Sequence, residues 1–226
     1  MKHIPLAERL RPQSFEDFAG LGALDPRLVN HVRSGEGRLP SMILWGPPGV
    51  GKTTLARIIA TRTKSDFVPF SAVLSGIKEI KEVMAAAEKA RRMGRRTIVF
   101  VDEIHRFNKA QQDAFLPYVE KGDVILIGAT TENPSFEVNS ALLSRSRVYQ
   151  LKALEPPQLV KLLQKGLAEL KKTCADDLLE QIAIFSNGDA RSAYNLLELA
   201  AAAAEESAKL EELKRILRQS PLRRWG

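Results

Sequence analysis

The sequence is poor in the residue types that build disulfides and metal clusters. It contains one cysteine, Cys174, and only three histidines among 226 residues. A single cysteine cannot form a disulfide within the chain, and three scattered histidines do not have the spacing of a metal-binding cluster. The shortage excludes an internal disulfide and predicts that any metal arrives with a ligand.

Long apolar runs are missing as well. No stretch approaches the roughly 20 apolar residues that a membrane span needs, and the first eight residues lack the apolar centre of a signal peptide. We therefore expect a cytoplasmic chain with no membrane partner. The 34 lysine and arginine residues exceed the 27 aspartate and glutamate residues by seven. This excess favours polyanionic partners without identifying one.

Short apolar runs alternate with helical patterns through the first two thirds of the chain. Strands are predicted at 42–45, 67–70, 97–101, 124–129 and 148–151, and helices at 55–63, 77–93 and 109–119. Such alternation predicts an α/β fold, a five-stranded parallel sheet between helices. After the last predicted strand, the patterns are helical up to residue 204, at 158–171, 176–185 and 189–204. We predict a nucleotide-binding domain over 1–152, an all-helical lid over 153–205 and a partly disordered basic tail over 206–226.

A glycine-rich loop lies between the first predicted strand and the helix that follows it. Residues 46–54 read Gly-Pro-Pro-Gly-Val-Gly-Lys-Thr-Thr, a complete P-loop. Glycines let backbone N–H groups converge on phosphate oxygens at a helix N-terminus, while Lys52 adds a positive charge and Thr53 a hydroxyl for Mg²⁺. The predicted ATP contacts are Gly46, Pro47, Pro48, Gly49, Val50, Gly51, Lys52, Thr53 and Thr54.

Two carboxylates follow the third predicted strand. Asp102 and Glu103 come directly after residues 98–101 and therefore lie at the carboxyl edge of the sheet, as the phosphate loop does. We expect Asp102 to hold the Mg²⁺ shell and Glu103 to polarise the water that attacks the γ-phosphate. His105, which follows closely, is interpreted as a solvated or helix-capping residue.

Other polar residues lie near the same edge. The fourth predicted strand ends in two threonines, of which Thr131 is favoured over Thr130 as the hydroxyl that senses phosphate. Arg145 and Arg147 precede the fifth strand, and either could act as an arginine finger on the nucleotide of a neighbouring subunit. Arg191 opens the last lid helix and could reach the γ-phosphate, although an arginine in a first helical turn is commonly a surface residue.

These elements occur in the order of an AAA+ ATPase, which the sequence therefore resembles. The phosphate loop, Asp102-Glu103, Thr131, Arg145 and Arg191 match its Walker A, Walker B, sensor 1, arginine finger and sensor 2. Residues 101–109 and 128–139 are similar to the replication-associated recombination protein A family, the bacterial relatives of the Werner-helicase-interacting ATPase in the clamp-loader branch. The N-terminal residues 6–12 with 17–20 are similar to the clamp-loader segment that packs on adenine, which adds Arg11 and Pro12 to the predicted contacts.

The resemblance implies a DNA-dependent ATPase that acts at stalled forks, gaps or duplex ends, in the cytoplasm and associated with the nucleoid. Its implied partners are DNA, single-stranded DNA-binding protein and replisome components. Family members carry a further helical domain for tetramerisation after the lid, where this chain has its basic tail. We expect self-association in which Arg145 acts on the nucleotide of a neighbouring subunit. The resemblance does not define the oligomeric state.

Alternative functions share most of these motifs. One is an ATP-gated DNA or replisome adaptor with little hydrolysis, and another is a Holliday-junction or clamp-loader type AAA+ subunit. DNA contacts are open between two interpretations of the predicted helix 77–93 and the turn after it: a solvated face, or a basic surface that binds DNA phosphates. The basic residues are Lys78, Lys81, Lys89, Arg91, Arg92, Arg95 and Arg96.

Overall fold

The computed structural model describes residues 4–34, 39–71 and 76–205. The predicted basic tail at 206–226 lies outside these ranges. The described chain forms two compact units. One contains residues 13–47 and 51–152, and the other combines residues up to 12 and from 153 onward with residues 48–50.

The first unit contains a five-stranded sheet in which every pairing is parallel. Its strands are β1 Ser41–Trp45, β2 Asp66–Ser71, β3 Thr97–Asp102, β4 Ile125–Thr130 and β5 Ser146–Gln150. Their order across the sheet is β2-β3-β4-β1-β5, so the strand that precedes the phosphate loop pairs with β4 on one side and with β5 on the other. The predicted α/β fold is confirmed.

Helices cover the sheet and fill the lid. They are α1 Leu6–Arg9, α2 Pro26–Ser34, α3 Lys52–Arg62, α4 Ile77–Arg92, α5 Lys109–Asp113, α6 Leu116–Lys121, α7 Pro134–Glu137, α8 Ser140–Leu143, α9 Pro156–Leu170, α10 Asp176–Phe185 and α11 Ala190–Glu205. Single 3₁₀ turns occur at Leu21–Ala23 and Ile104–Arg106. None of the helices within the described ranges is long and apolar enough to span a bilayer.

The central strands are buried along nearly their whole length, which explains why they read as continuous apolar runs. Ile98, Val99 and Val101 of β3 have no exposed surface. On α4, apolar side chains at helical spacing form one buried stripe that includes Ile80 and Met84. Each fully buried side chain of this size contributes about 1.5–3 kcal/mol to stability. This core holds the strand ends, and so the site, in place.

The helix predicted over 109–119 is wrong in one respect, because the structure has two short helices there. α5 ends at Asp113 and α6 begins at Leu116, with Pro117 in its first turn. Proline has no N–H to donate to residue 113, and its ring clashes with the carbonyl there, so one continuous helix cannot form.

The second unit is helical, as predicted for the lid. Gly166 of α9 lies against Leu197 of α11 and Leu6 of α1, since a Cβ at this position would be 2.6 Å and 3.1 Å from their Cδ2 atoms. Leu6 also donates its backbone N–H to Glu198 Oε1 over 3.0 Å. The structure thus groups α1 with the lid helices, whereas the predicted domain boundary placed residues 1–12 with the sheet.

Candidate functional site

The phosphate loop leaves β1 between tightly packed neighbours. Gly46 donates its N–H to the Thr130 carbonyl over 3.1 Å, and a Cβ on Gly46 would lie 2.2 Å from the Leu151 carbonyl oxygen. Gly51 has a φ of 97°, and a Cβ there would lie 2.6 Å from the Phe18 ring. Both positions therefore require glycine.

Lys52 begins α3, and its ammonium group folds back over the loop. Nζ donates to the Gly46 carbonyl over 2.7 Å and to the Pro47 carbonyl over 2.8 Å, and the residue is only 7% exposed. The positive charge therefore lies at the end of a helix whose own dipole favours anions. Thr53 is half-buried and Thr54 is buried in the same turn.

The predicted carboxylate pair lies at the carboxyl edge of the same sheet. Asp102 is the last residue of β3 and is exposed, while Glu103 is half-buried and adopts a left-handed backbone conformation, with a φ of 52°. That conformation is uncommon for a residue with a Cβ and is found where a turn must re-aim a side chain. The chain turns here into the segment Ile104–Arg106.

The Glu103 carboxylate is held by two side chains. Oε2 lies 3.2 Å from His105 Nδ1 and accepts from Thr131 Oγ1 over 3.4 Å. The interpretation of His105 as a solvated or helix-capping residue is wrong, because its side chain is only 15% exposed, hydrogen bonds with Thr130 Oγ1 and contacts the predicted catalytic glutamate. Thr131, favoured over Thr130 as the hydroxyl that senses phosphate, thus lies beside Glu103, and its role stays a prediction.

Thr130 has a different environment. It is fully buried, and its Oγ1 lies 3.0 Å from His105 Nδ1 while also accepting from the Glu132 N–H over 3.0 Å. Its backbone carbonyl accepts from Gly46, as described above. Thr130 therefore joins the end of β4 to both the phosphate loop and His105.

Arg145 and Arg147 are both exposed but differ in their contacts. Arg145 Nη2 lies 2.6 Å from Glu120 Oε1, and its Nη1 donates to Ala141 O and Ser144 Oγ over 3.0 Å and 2.9 Å. Arg147 lies on β5 beside Met42 of β1 and forms no ion pair with the described residues. Of the two arginine-finger candidates, Arg145 is thus held by neighbouring groups and Arg147 is exposed to solvent.

In the lid unit, the turn before α11 contacts residues 48–50. Ala190 donates its N–H to the Gly49 carbonyl over 3.3 Å, and Asp189 caps the helix by accepting from the Ser192 N–H over 2.9 Å. Arg191 is exposed in the first turn of this helix. Of the predicted adenine contacts in this unit, Arg11 pairs with Glu8, and Pro12 is partly buried.

The basic residues of α4 and the turn after it are partly neutralised. Four of the seven form ion pairs, Lys78 with Glu82, Arg91 with Asp123, Arg92 with Glu88 and Arg95 with Asp66. Lys81, Lys89 and Arg96 are exposed and have no ion-pair partner within the described ranges. A phosphate-binding surface here would depend mainly on these three residues.

The environment of Cys174 disfavours a reactive thiolate. Burial raises the pKa of this thiol, and the nearby carboxylates of Asp176 and Asp177 raise it further. The protonated thiol is a poor nucleophile. Among the described residues, no group of three or more histidine, cysteine or acidic side chains could hold a metal ion.

Three residues support the site through contacts that the sequence did not predict. Phe18 packs on Gly51, Glu120 holds Arg145, and His105 holds Glu103. The position of His105, two residues after Glu103, could have indicated that its side chain lies near the acidic pair. The Glu120 and Phe18 contacts join distant parts of the chain, and no local sequence pattern predicts them.

Comparison with known proteins places this geometry in a family. The family model described as "ATPase family associated with various cellular activities (AAA)" matches residues 42–154, which include all of the sheet except the first residue of β1. The RuvB Holliday junction branch migration motor of Thermotoga maritima superposes with a TM-score of 0.78 at 27% identity, over 92% of this chain and 72% of that one.

Curated relatives are similar over most of the chain. Replication-associated recombination protein A of Haemophilus influenzae is 49% identical over 94% of this chain and 50% of that protein. The Escherichia coli protein of the same name is 49% identical over 89% and 47%. ATPase WRNIP1 of Dictyostelium discoideum is 44% identical over 92% and 24%. The chain spans about half the length of the first two relatives.

These likenesses confirm the resemblance predicted from the motifs. The family match runs from β1 through the phosphate loop and the acidic pair to the end of β5, so the same residues carry the fold and the candidate site. The chain belongs to the AAA family of ATPases.

Proposed function

We infer that the chain is the ATP-hydrolysing part of a DNA-dependent ATPase that acts at stalled replication forks, gaps or duplex ends. The observation that carries this proposal is the arrangement at the carboxyl edge of the sheet. There, Lys52 lies at the start of α3, and Glu103 accepts a hydrogen bond from Thr131 after β4 and lies 3.2 Å from the His105 imidazole. A cation beside a helix N-terminus and a polarising carboxylate are two of the groups that enzymes use for phosphoryl transfer to water.

Each residue has a role in this proposal. Lys52 binds the β- and γ-phosphates, Glu103 orients and polarises the attacking water, and Thr131 links Glu103 to the end of β4. Arg145 stabilises the transferring phosphoryl group of a neighbouring subunit, and Arg191 approaches the γ-phosphate from the lid. Arg11 and Pro12 contact the adenine.

Magnesium fits the oxygen donors of the same edge. Thr53 and Asp102 supply a hydroxyl and a carboxylate, which are hard ligands, and Mg²⁺ is commonly held by one or two protein groups together with substrate phosphates. The exposed carboxylate of Asp102 and the half-buried Thr53 are open to such a ligand. When bound, the ion neutralises charge that develops on the phosphate oxygens.

Likenesses to other proteins support the link to DNA. Two relatives carry names that refer to replication-associated recombination, and a solved relative is named as a Holliday junction branch migration motor. We propose that this chain binds DNA phosphates without sequence preference, with Lys81, Lys89 and Arg96 as contacts. Single-stranded DNA-binding protein and replisome components are the proposed protein partners, in the cytoplasm at the nucleoid.

A second candidate function is an ATP-gated adaptor with little hydrolysis. It is favoured by one observation, the ion pair that ties Arg145 to Glu120 of the same chain. A finger held in this way must be released before it can serve a neighbouring nucleotide. The two functions therefore differ in whether turnover depends on contact between subunits.

Steady-state ATP turnover over a range of protein concentrations separates these candidates. We expect turnover per subunit to rise with protein concentration and with forked DNA, and Glu103→Gln to lower kcat by about 10²–10⁴-fold while retaining ATP binding. A Holliday junction replaces the fork in a parallel series to test the branch-migration type of subunit.

Arg145→Ala and Arg147→Ala form a matched pair for the same assay. Only the variant that removes the arginine finger, expected to be Arg145→Ala, should lose turnover, by about 10³–10⁵-fold as for other arginine fingers. Wild-type turnover that stays at the level of Glu103→Gln at every protein and DNA concentration, with ATP still bound, would reject the hydrolase and favour the adaptor.

A further inference from the structure

His105 occupies a position that its sequence context did not indicate. It lies two residues after Glu103, in the 3₁₀ turn Ile104–Arg106, and its ring is largely enclosed. Nδ1 lies 3.2 Å from Glu103 Oε2 and 3.0 Å from Thr130 Oγ1. One ring nitrogen thus contacts both the predicted catalytic carboxylate and the neighbouring strand.

The turn after β3 brings His105 back to Glu103. The left-handed backbone of Glu103, with φ 52° and ψ 51°, changes the chain direction directly after the strand. Ile104 is fully buried and anchors the turn in the core. Val101 pairs with Gly128, so the ends of β3 and β4 lie side by side, and Thr130 is the last residue of β4. His105 is therefore positioned by the sheet register as well as by the turn.

The hydrogen on the imidazole can be assigned from its neighbours. A carboxylate oxygen only accepts hydrogen bonds. Thr130 Oγ1 donates its own hydrogen to the Glu132 carbonyl over 3.2 Å, so it also acts as an acceptor toward the ring. Both atoms that face Nδ1 can accept, so we assign the hydrogen to Nδ1, which then donates to Thr130 Oγ1 and lies 3.2 Å from Glu103 Oε2.

Thr130 in turn is fixed to the phosphate loop. It is fully buried, and its carbonyl accepts the Gly46 N–H over 3.1 Å. Hydrogen bonds therefore link the phosphate loop to Thr130 and Thr130 to His105, whose Nδ1 lies 3.2 Å from Glu103 Oε2. Thr131 Oγ1 donates to the same carboxylate oxygen over 3.4 Å.

We propose that His105 is a positioning residue that anchors Oε2 of Glu103 to the end of β4 and leaves Oε1 to polarise the attacking water. The inference rests on the proposed function, because it takes Glu103 as the group that activates water. His105 acts through Glu103, so its loss should disturb the orientation of the carboxylate and leave nucleotide binding intact.

Three substitutions at this position test the proposal in the full chain. His105→Ala should lower kcat by about 10–100-fold, with the KM for ATP changed by less than about threefold, because only the orientation of the general base is lost. His105→Asn should restore most of the rate, since its amide nitrogen can occupy the place of Nδ1. His105→Gln should not restore it, because its amide lies near the place of Nε2.

The matched amides separate an anchoring role from simple packing. Equal rates for the Asn and Gln variants, or a kcat for His105→Ala within about twofold of wild type, would overturn the proposal. Thermal unfolding of each variant, with an ATP titration, shows whether the fold and the nucleotide site are kept. A rise in KM of the same size as the fall in kcat would also overturn it.

A measurement that does not depend on turnover examines the contact itself. In protein with ¹⁵N-labelled histidine, NMR should detect a hydrogen on Nδ1 of His105, and a ring that carries its hydrogen only on Nε2 would overturn the anchor. Wild-type turnover no higher than that of Glu103→Gln would instead overturn the proposed function. In that case the NMR result would still show whether the contact between His105 and Glu103 exists.

Discussion

The two edges of the sheet both carry charged side chains, but they hold them in different ways. At the amino edge, Arg91 pairs with Asp123 over 2.7 Å and Arg95 pairs with Asp66 over 3.5 Å, beside a cleft of about 400 Å³. At the carboxyl edge, Lys52 is held by two backbone carbonyls, and Glu103 by an imidazole and a hydroxyl.

This difference separates charges that stabilise the fold from charges available for chemistry. An ion pair cancels most of the field of each partner, whereas a carbonyl or hydroxyl dipole orients a charge and leaves most of its field in place. The carboxyl edge also contains the strained backbone of Glu103, which persists only where surrounding structure enforces it. Substitutions at the two edges should therefore affect different properties of the molecule.

The largest effect on nucleotide binding is expected at Lys52. Lys52→Ala should weaken ATP binding by about 10–100-fold, because a charge-assisted hydrogen bond to phosphate contributes about 1.5–3 kcal/mol. Calorimetric titration with ATP measures the change. Lys121→Ala, at an exposed lysine that ends α6 near the amino edge, is the matched control and should bind ATP as the wild type does. Tight ATP binding by Lys52→Ala would reject the phosphate-loop assignment.

A smaller effect, on stability instead of binding, is expected at Arg91. Its partner Asp123 has a side chain only 4% exposed, and Oδ2 of that carboxylate has no hydrogen-bond partner in the described structure. Arg91→Ala should lower the free energy of unfolding by about 1–3 kcal/mol, because a buried carboxylate loses its counter-charge. Urea denaturation measures this loss, and ATP turnover should not change.

The double variant Arg91→Ala with Asp123→Ala sharpens this test. It should be more stable than the sum of the two single losses predicts, since it leaves no unpaired charge behind. Additive losses would show that the pair does not interact in solution.

The smallest effect is expected at Arg95. Its partner Asp66 is 49% exposed, and the two groups are 3.5 Å apart. Arg95→Ala should cost less than about 1 kcal/mol, and the difference should shrink further in high salt. The same urea measurement at low and high ionic strength checks both statements. A loss as large as that of Arg91→Ala would mean that burial of the acidic partner does not set the strength of these pairs.

Much of the fold could be predicted because its signals are local. Apolar runs closed by glycine or polar residues indicated all five strands, and the predicted bounds differ from the observed ones by a few residues at most. The error at 109–119 is also local, since Pro117 was present in the sequence and was not weighed as a break. Short helices such as α7 and α8 lack enough turns to show a period.

The candidate site could be predicted only in part. Lys52, Asp102 and Glu103 could be identified because the phosphate loop and the acidic pair are short local motifs, and the roles of these residues remain predictions. His105 was misjudged, because its contact with Thr130 joins residues 25 positions apart. Whether a histidine is solvated or anchored depends on which strand lies beside it, and that follows from strand order.

The sequence by itself determined that a phosphate loop and an acidic pair would meet at one edge of a parallel sheet, because alternating strands and helices bring all carboxyl ends to the same side. Only the tertiary structure decided which oxygen of Glu103 is anchored, which threonine anchors His105, and which acid holds Arg145. Those contacts depend on the order β2-β3-β4-β1-β5 and on a register fixed by packing of the whole core. A hydrogen bond has a range of about 3 Å, so its partners are chosen only when distant segments have already packed together.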